Sequence, residues 1–297
     1  MIYTITTNPS LDYQMIFSKE VITGEHNRSN IESFDAGGKG VNVSIFLNNL
    51  GIQSACLGFL GGFTKDVYLS KLTAYPCIQP LFTNIKDNTR INIKALSNDC
   101  LTSLNALGPH ISDEEYNKFI TRASRIYDDD YIVVSGSVQN ELEDKIVSLV
   151  NELSSVGTKV ILDTEEGLTL KCLECKPSLV KLNDQNAGID ENDIISKAQE
   201  YISKGAKVVI YSSPINPNYY MFFEDKYYKT QREDKVLHTT GSGDSMIAGY
   251  LYSCLRGANL LESFKYSVVC SKCLSFVKPT DRELIETEFN KLKVEEF

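Results

Sequence analysis

The sequence predicts an α/β fold: a mostly parallel sheet with helices on both faces, in three layers, carrying a small β-sheet lid. Three observations predict it. From residue 112 to 211, helical and strand patterns alternate with short connections, the signature of a parallel sheet covered by helices. Two glycine-rich stretches, Ala36-Gly37-Gly38-Lys39-Gly40-Val41-Asn42 and Thr239-Thr240-Gly241-Ser242-Gly243-Asp244-Ser245, each run into an apolar helical segment. Two further segments, roughly 8–35 and 83–108, interrupt the alternation with polar, alternating runs and read as β-excursions that form the lid. No repeat, low-complexity run or long linker divides the chain, so residues 1–297 read as one domain.

Residues 1–7 alternate and are rich in Ile, Tyr and Thr, which predicts a strand. Asn8-Pro9-Ser10-Leu11-Asp12 follows as a turn. Asp12 therefore sits past a strand's carboxyl end, where open α/β sheets place ligands; taken alone, it is as readily a turn residue bonded to its own backbone. Residues 13–35 are mixed and polar and read as peripheral strands. A helix is predicted over 41–50, closed by Gly51, then a strand over 54–60, ended by Gly61-Gly62, and a helix over 64–72. Residues 82–107 alternate like an antiparallel ribbon that contains Arg90. A guanidinium suits a bidentate grip on phosphate, although most arginines on strands are merely surface groups.

The regular region reads as helix 113–127, strand 131–135, helix 141–156, strand 159–163, short helix 168–173, strand 179–182, helix 193–204 and strand 207–211. Asp163 ends one of these strands at the same ligand edge as Asp12. Runs 219–223 and 226–229 form a hairpin, and helices over 260–277 and 281–293 close the chain.

Composition narrows the function. Hydrophobic residues make up 42% and charged residues 23%, with a net charge of −9 and no long basic tract. This argues against nucleic acid or an anionic membrane as partner, while leaving an anionic small molecule open. The first residues are too short and uncharged for a signal peptide, and no apolar run reaches the roughly 20 residues of a membrane span. Eight cysteines without a secretion signal point to reduced thiols in a cytoplasm. The pairs Cys172/Cys175 and Cys270/Cys273 lie nearly a hundred residues apart, and the second falls in an apolar helical run, so they read as core residues rather than zinc ligands.

The chemistry concentrates in the glycine-rich stretches. Small residues at 241–243 let the backbone turn and offer unpaired N–H groups at a helix N-terminus, which attracts an anion. Asp244, in the first turn, is then placed to take a proton from a hydroxyl attacking a held phosphate. By itself, Gly-x-Gly-Asp is more often a plain turn and cap. The stretch at 37–42 adds the Lys39 charge and the Asn42 amide. It is neither a Walker A loop nor a dinucleotide loop, since Ser33 and Gly40 stand where the former needs Gly and Ser or Thr.

Together, Gly37-Gly38-Lys39-Gly40-Val41-Asn42 and Gly241-Ser242-Gly243-Asp244-Ser245 resemble the two signatures of the PfkB (ribokinase-like) sugar kinases, in the right order and about 200 residues apart. The resemblance covers essentially the whole chain. Asn8-Pro9-Ser10-Leu11-Asp12, Asn27-Arg28-Ser29, the 57–64 run and Thr89-Arg90-Ile91-Asn92 are most similar to the 1-phosphofructokinase branch, with tagatose-6-phosphate kinases next. The resemblance implies a ribokinase-like core and an ATP- and Mg²⁺-dependent phosphorylation of fructose 1-phosphate to fructose 1,6-bisphosphate. It implies Asp244 as base, with the amides of Gly241, Ser242 and Gly243 as anion hole. Asp12, Gly38, Lys39 and Asn42 would hold the sugar, and Arg28, Arg90 and Ser137 its phosphate. Asn183 and Ser212 would face the nucleotide, and two chains would pair through the lid.

Two departures from that pattern stand out. Asn186 replaces the glutamate of the family's Asn-x-x-Glu motif that begins at Asn183, with Asp184 as a neighbouring carboxylate; an amide holds a hard cation less well. In the nucleotide loop, Ser212-Ser213-Pro214-Ile215-Asn216-Pro217 carries prolines where the family has glycines. Proline fixes φ and removes an N–H donor. The expectation is therefore a fructose-1-phosphate kinase, with a kinase of tagatose 6-phosphate or another phosphosugar, or a sugar-phosphate-binding pseudokinase, as alternatives.

Overall fold

The computed structural model of the protein describes residues 1–98, 100–127, 129–183, 190–213, 216, 218–231, 241–273 and 280–297. The chain opens with β1 (Ile2–Thr6), then β2 (Ser10–Phe17) and β3 (Ile31–Gly37). Next come α1 (Lys39–Asn49), β4 (Ser54–Gly61), α2 (Gly62–Leu72), β5 (Ile78–Pro80) and β6 (Thr83–Ile85). Two strands follow, β7 (Arg90–Ser97) and β8 (Cys100–Leu104). The alternating region comprises α3 (Asp113–Ala123), β9 (Tyr131–Gly136), α4 (Glu143–Ser155), β10 (Lys159–Thr164), α5 (Glu166–Lys171), β11 (Leu179–Asn183), α6 (Glu191–Ser203) and β12 (Val208–Ser212). A hairpin, β13 (Asn218–Phe223) and β14 (Lys226–Gln231), precedes α7 (Ser242–Leu255), α8 (Leu260–Cys273), α9 (Arg282–Lys291) and β15 (Glu295–Glu296).

The main sheet runs β15-β14-β13-β12-β11-β10-β9-β1-β4-β5, with β6 also pairing β4. From β12 to β5 every pairing is parallel, and β13, β14 and β15 add an antiparallel edge. The parallel strands are apolar on both faces because helices cover both. In β9, Ile132 and Val134 face a core with Phe119 of α3, Leu149 of α4 and Ala198 of α6. Val133 faces the opposite core, with Phe46 of α1, Leu251 of α7 and Phe264 of α8. The helices start where the sequence supplies caps: Ser112 and Glu115 form a capping box on α3, and the Asp190 carboxylate accepts the Asp193 N–H on α6. Among the described residues, no helix is long and apolar enough to cross a membrane.

A separate four-stranded sheet, β3-β2-β7-β8, makes the lid. Its central pair is parallel, with Asp12 beside Asn92 and Ile16 beside Leu96. Residues 83–85, expected with the lid, instead pair with β4 through Phe59↔Thr83 and Leu60↔Asn84. The closing helix ends at Lys291 rather than continuing to 293, and the residues beyond it form β15 against β14. There Phe297 packs its ring on Tyr220 and Tyr227, so aromatic contact rather than helical propensity decides the last residues.

Candidate functional site

The carboxyl ends of β1, β9 and β10, the N-termini of α1 and α7, and the inner face of the lid converge on one cavity of about 850 Å³. It is lined by Asp12, Gly38, Lys39, Asn42, Arg90, Ser137, Gly241, Ser242, Gly243 and Asp244, all of them expected from the sequence. Arg28 and Ser212 do not line it: Arg28 lies exposed between β2 and β3, and Ser212 ends β12. Asn183 ends β11 beside Ser212, and its side chain lies outside the described residues. Asp184, Asn186, Pro214 and Pro217 also lie outside them.

Asp244 is buried at 5% exposure in the first turn of α7. Its Oδ2 accepts the Asn42 Nδ2–H at 2.8 Å. Burial, and then the nearby Asp163 carboxylate, push its pKa up to about 7; the Asn42 bond, Lys39 and Lys181 pull the other way. A carboxylate titrating there matches the demand on a general base at neutral pH. Gly241 caps α7 with φ 92°, a conformation that favours glycine. The first intrahelical bond at this end runs from Ser245 N–H to Gly241 O at 2.8 Å, so the amides of Ser242, Gly243 and Asp244 precede it and are open to an anion.

Behind Asp244 lies a charged network that sequence reading located only in part. Lys39 Nζ meets Asp163 Oδ1 at 3.3 Å, and Asp163 is 1% exposed. Burial draws the Lys39 ammonium down, but Asp163, Asp244 and Glu165 outweigh it, and its pKa is raised. Lys181 on β11 is wholly buried; that burial lowers its pKa against the opposing pull of Asp163 and Asp244. Asp163 was legible as a strand-end carboxylate. Lys181 shares its strand with Asn183, the signal by which it was open to detection.

The lid supplies the other wall. Asp12 Oδ1 accepts from Ser10 Oγ at 2.6 Å and from Asn92 Nδ2 at 3.3 Å. Burial raises its pKa, with Ser10, Lys94, Asn92 and Arg90 opposing. A Cβ on Gly37 would lie 2.6 Å from the Asp12 carboxylate, so glycine there makes room for that side chain. Asn92 and Lys94, two and four residues beyond Arg90 on β7, line the cavity and were missed; strand alternation puts them on the same face as Arg90. Arg90 Nη1 donates to Ala106 O at 2.9 Å and Nη2 to Asn8 O at 2.8 Å. Its Nε is buried without a partner among the described residues. The side chain thus ties the 105–108 segment to the end of β1 as well as lining the cavity.

The site can hold a phosphorylated polyol between lid and core, with a base at one end and open amides beside it. Comparison with known proteins agrees in kind. The family model described as "pfkB family carbohydrate kinase" matches residues 6–281. The chain is similar to the 1-phosphofructokinase of Borreliella burgdorferi, 35% identical over 90% of this chain and 89% of that protein. It is also similar to the D-tagatose-1-phosphate kinase of Bacillus licheniformis, 28% identical over 94% and 93%. Its fold matches the crystal structure of Escherichia coli phosphofructokinase-2 in complex with substrates and products, with a TM-score of 0.89 at 22% identity over 98% and 99% of the chains.

Proposed function

The chain belongs to the pfkB family of carbohydrate kinases, and on that premise we propose that it transfers the γ-phosphoryl group of ATP to the free primary hydroxyl of fructose 1-phosphate, giving fructose 1,6-bisphosphate and ADP. Asp244 takes the hydroxyl proton as the sugar oxygen attacks phosphorus, and the bond from phosphorus to the leaving β-phosphate oxygen breaks. Asn42 orients the carboxylate. The amides of Gly241, Ser242 and Gly243 receive charge from the transferring group, where fixed donors are worth most. Asp12, Gly38, Lys39 and Asn92 hold the sugar, while Lys94, Arg90 and Ser137 meet its phosphate. Mg²⁺ would offset phosphate charge when bound; among the described residues no three carboxylate, His or Cys side chains cluster to cage it, so it would be held mainly through phosphate oxygens and water. The single observation that carries the reading is Asp244, buried, titrating near neutrality and set beside open amides.

Specificity has two readings. Similarity to a D-tagatose-1-phosphate kinase favours a ketohexose 1-phosphate in general, so tagatose phosphates stand as the second substrate class. Pro214 and Pro217 support the alternative of a phosphosugar-binding chain with weak nucleotide use. A coupled assay of ADP release from Mg-ATP separates these, with fructose 1-phosphate, fructose 6-phosphate, tagatose 1-phosphate and tagatose 6-phosphate in parallel. Turnover of about 1–100 per second with fructose 1-phosphate is the expected result. Binding of a sugar without ADP release would overturn it.

A further inference from the structure

The lid strands β7 and β8 are rooted on two neighbouring pieces of the core. β6 runs into β7 through residues 86–89, and β8 runs into α3 through residues 105–112. Between β6 and α3 lies a cleft of about 450 Å³ lined by Thr83, Asn84, Lys118, Thr121, Arg122 and Arg125. It shares no residue with the catalytic cavity. Its lining holds three cations and no carboxylate, on a chain whose net charge is −9.

Several donors in this cleft are unspent, although Thr121 Oγ1 donates to Asn117 O at 3.0 Å. Lys118 pairs with Glu114 at 2.7 Å, but among the described residues neither the Arg122 nor the Arg125 side chain makes a hydrogen bond or ion pair. Asn84 uses its carbonyl oxygen to accept Lys65 Nζ at 2.8 Å, which leaves its amide N–H groups to donate. Thr83 is 2% exposed, and its hydroxyl is buried with no partner among the described residues. Buried hydroxyls are rarely left so, and an orphan often marks a ligand or water that belongs beside it. Two free guanidinium groups, an ammonium, an amide and a buried hydroxyl around one concavity suit a phosphate.

We propose that this cleft is a second anion site, for a small phosphorylated metabolite, whose occupancy clamps β6 to α3 and so stiffens the root of the lid. The link onward is short. The Lys86 N–H, at the end of β6, already donates to Glu115 Oε1 of α3 at 2.7 Å. Thr89, next to Arg90, is held by Gly61 N–H to its Oγ1 at 3.0 Å and by Thr64 Oγ1 to its carbonyl at 2.9 Å. An anion drawing β6 toward α3 therefore acts on the strand that carries Arg90, Asn92 and Lys94. The chemistry of the cleft does not depend on which sugar and nucleotide occupy the catalytic cavity.

The test titrates pyrophosphate calorimetrically into the full chain and into the Arg122→Gln/Arg125→Gln and Thr83→Val variants. Both arginines are exposed, and valine keeps the volume of the buried threonine, so each variant retains the fold. Pyrophosphate is expected to occupy one more site per chain in the parent than in the double variant, and Thr83→Val to weaken that site at least fivefold. Hydrogen exchange of β7 and β8 is expected to slow on pyrophosphate addition in the parent beyond any slowing in the double variant, which controls for pyrophosphate in the catalytic cavity. Identical isotherms for parent and double variant, or saturation only at tens of millimolar, would overturn the site. A lost site with unaltered lid exchange would overturn the clamp.

Discussion

Asp244 carries two opposite pH dependences, and each can be measured. Its pKa rises from 3.8 to about 7 on folding, through burial and Asp163. The folded state thus holds the proton more tightly than the unfolded one. This group's contribution to stability is full below about pH 3.8 and is lost as pH rises through 7. Asp244→Asn keeps the shape without the charge, so it is expected to melt above the parent at pH 8, with the gap narrowing as pH falls. Activity runs the other way. The rate should rise with pH through an apparent pKa of about 7, and Asp244→Asn should abolish turnover while leaving sugar-phosphate affinity nearly intact. A flat profile from pH 5 to 9, or turnover in the variant, would remove Asp244 from the base role. Arg90→Ala is expected to weaken sugar-phosphate binding by about 1.5–3 kcal/mol. It should also lower the melting temperature, because the Asn8 and Ala106 carbonyls lose their donors; calorimetry and thermal denaturation check the two effects. The second effect was invisible in the sequence. An arginine on a strand announces its charge but not the carbonyls that fix its direction.

The elements were legible in proportion to their apolar density. Strands β9 to β12 and helices α3, α4 and α6 carry periodic apolar faces that bury almost completely, and their positions followed from that pattern, although α3 ends at Ala123 rather than 127. Short elements carry too few periods. β6 has three residues and β15 two, so pairing partners far away in the chain decide them. Helix α7 is set by packing as much as by its glycine cap. A Cβ on Gly249 would lie 2.5 Å from Tyr266 O and 2.8 Å from Cys270 Cβ of α8. Gly249→Ala is expected to cost about 1–3 kcal/mol in denaturant unfolding, the scale of an overpacked core. Because α7 also carries Asp244, in its first turn and five residues before Gly249, turnover should fall further than sugar binding. Unchanged stability would mean that the two helices part without strain.

At the scale of the whole molecule, the lid's inner face is polar at one end and apolar at the other. Asp12, Gln14 and Ile16 share that face by strand alternation. Asp12 stands beside Asn92 at the cavity, whereas Ile16 lines up with Ile31, Leu96 and Leu101 at the far end. Ile31 is 60% and Leu101 47% exposed. Such a row is suited to a second copy of the chain, in keeping with the pairing through the lid that the family resemblance implies. Light scattering is expected to report a dimer that Ile31→Asp/Leu101→Asp converts to monomer; an unchanged mass would move the interface elsewhere. The sheet order has a consequence of its own for how the protein comes into being. Asn42 and the carboxylate it steadies are 202 positions apart, and β1 lies inside the main sheet, between β4 and β9. During synthesis, the first strand must wait for β9 to emerge before both its edges are paired. A growing chain carries Asp12, Lys39 and Asn42 long before Asp244 is translated. The cavity is therefore complete only once α7 has cleared the exit tunnel and Asp244 can meet Asn42.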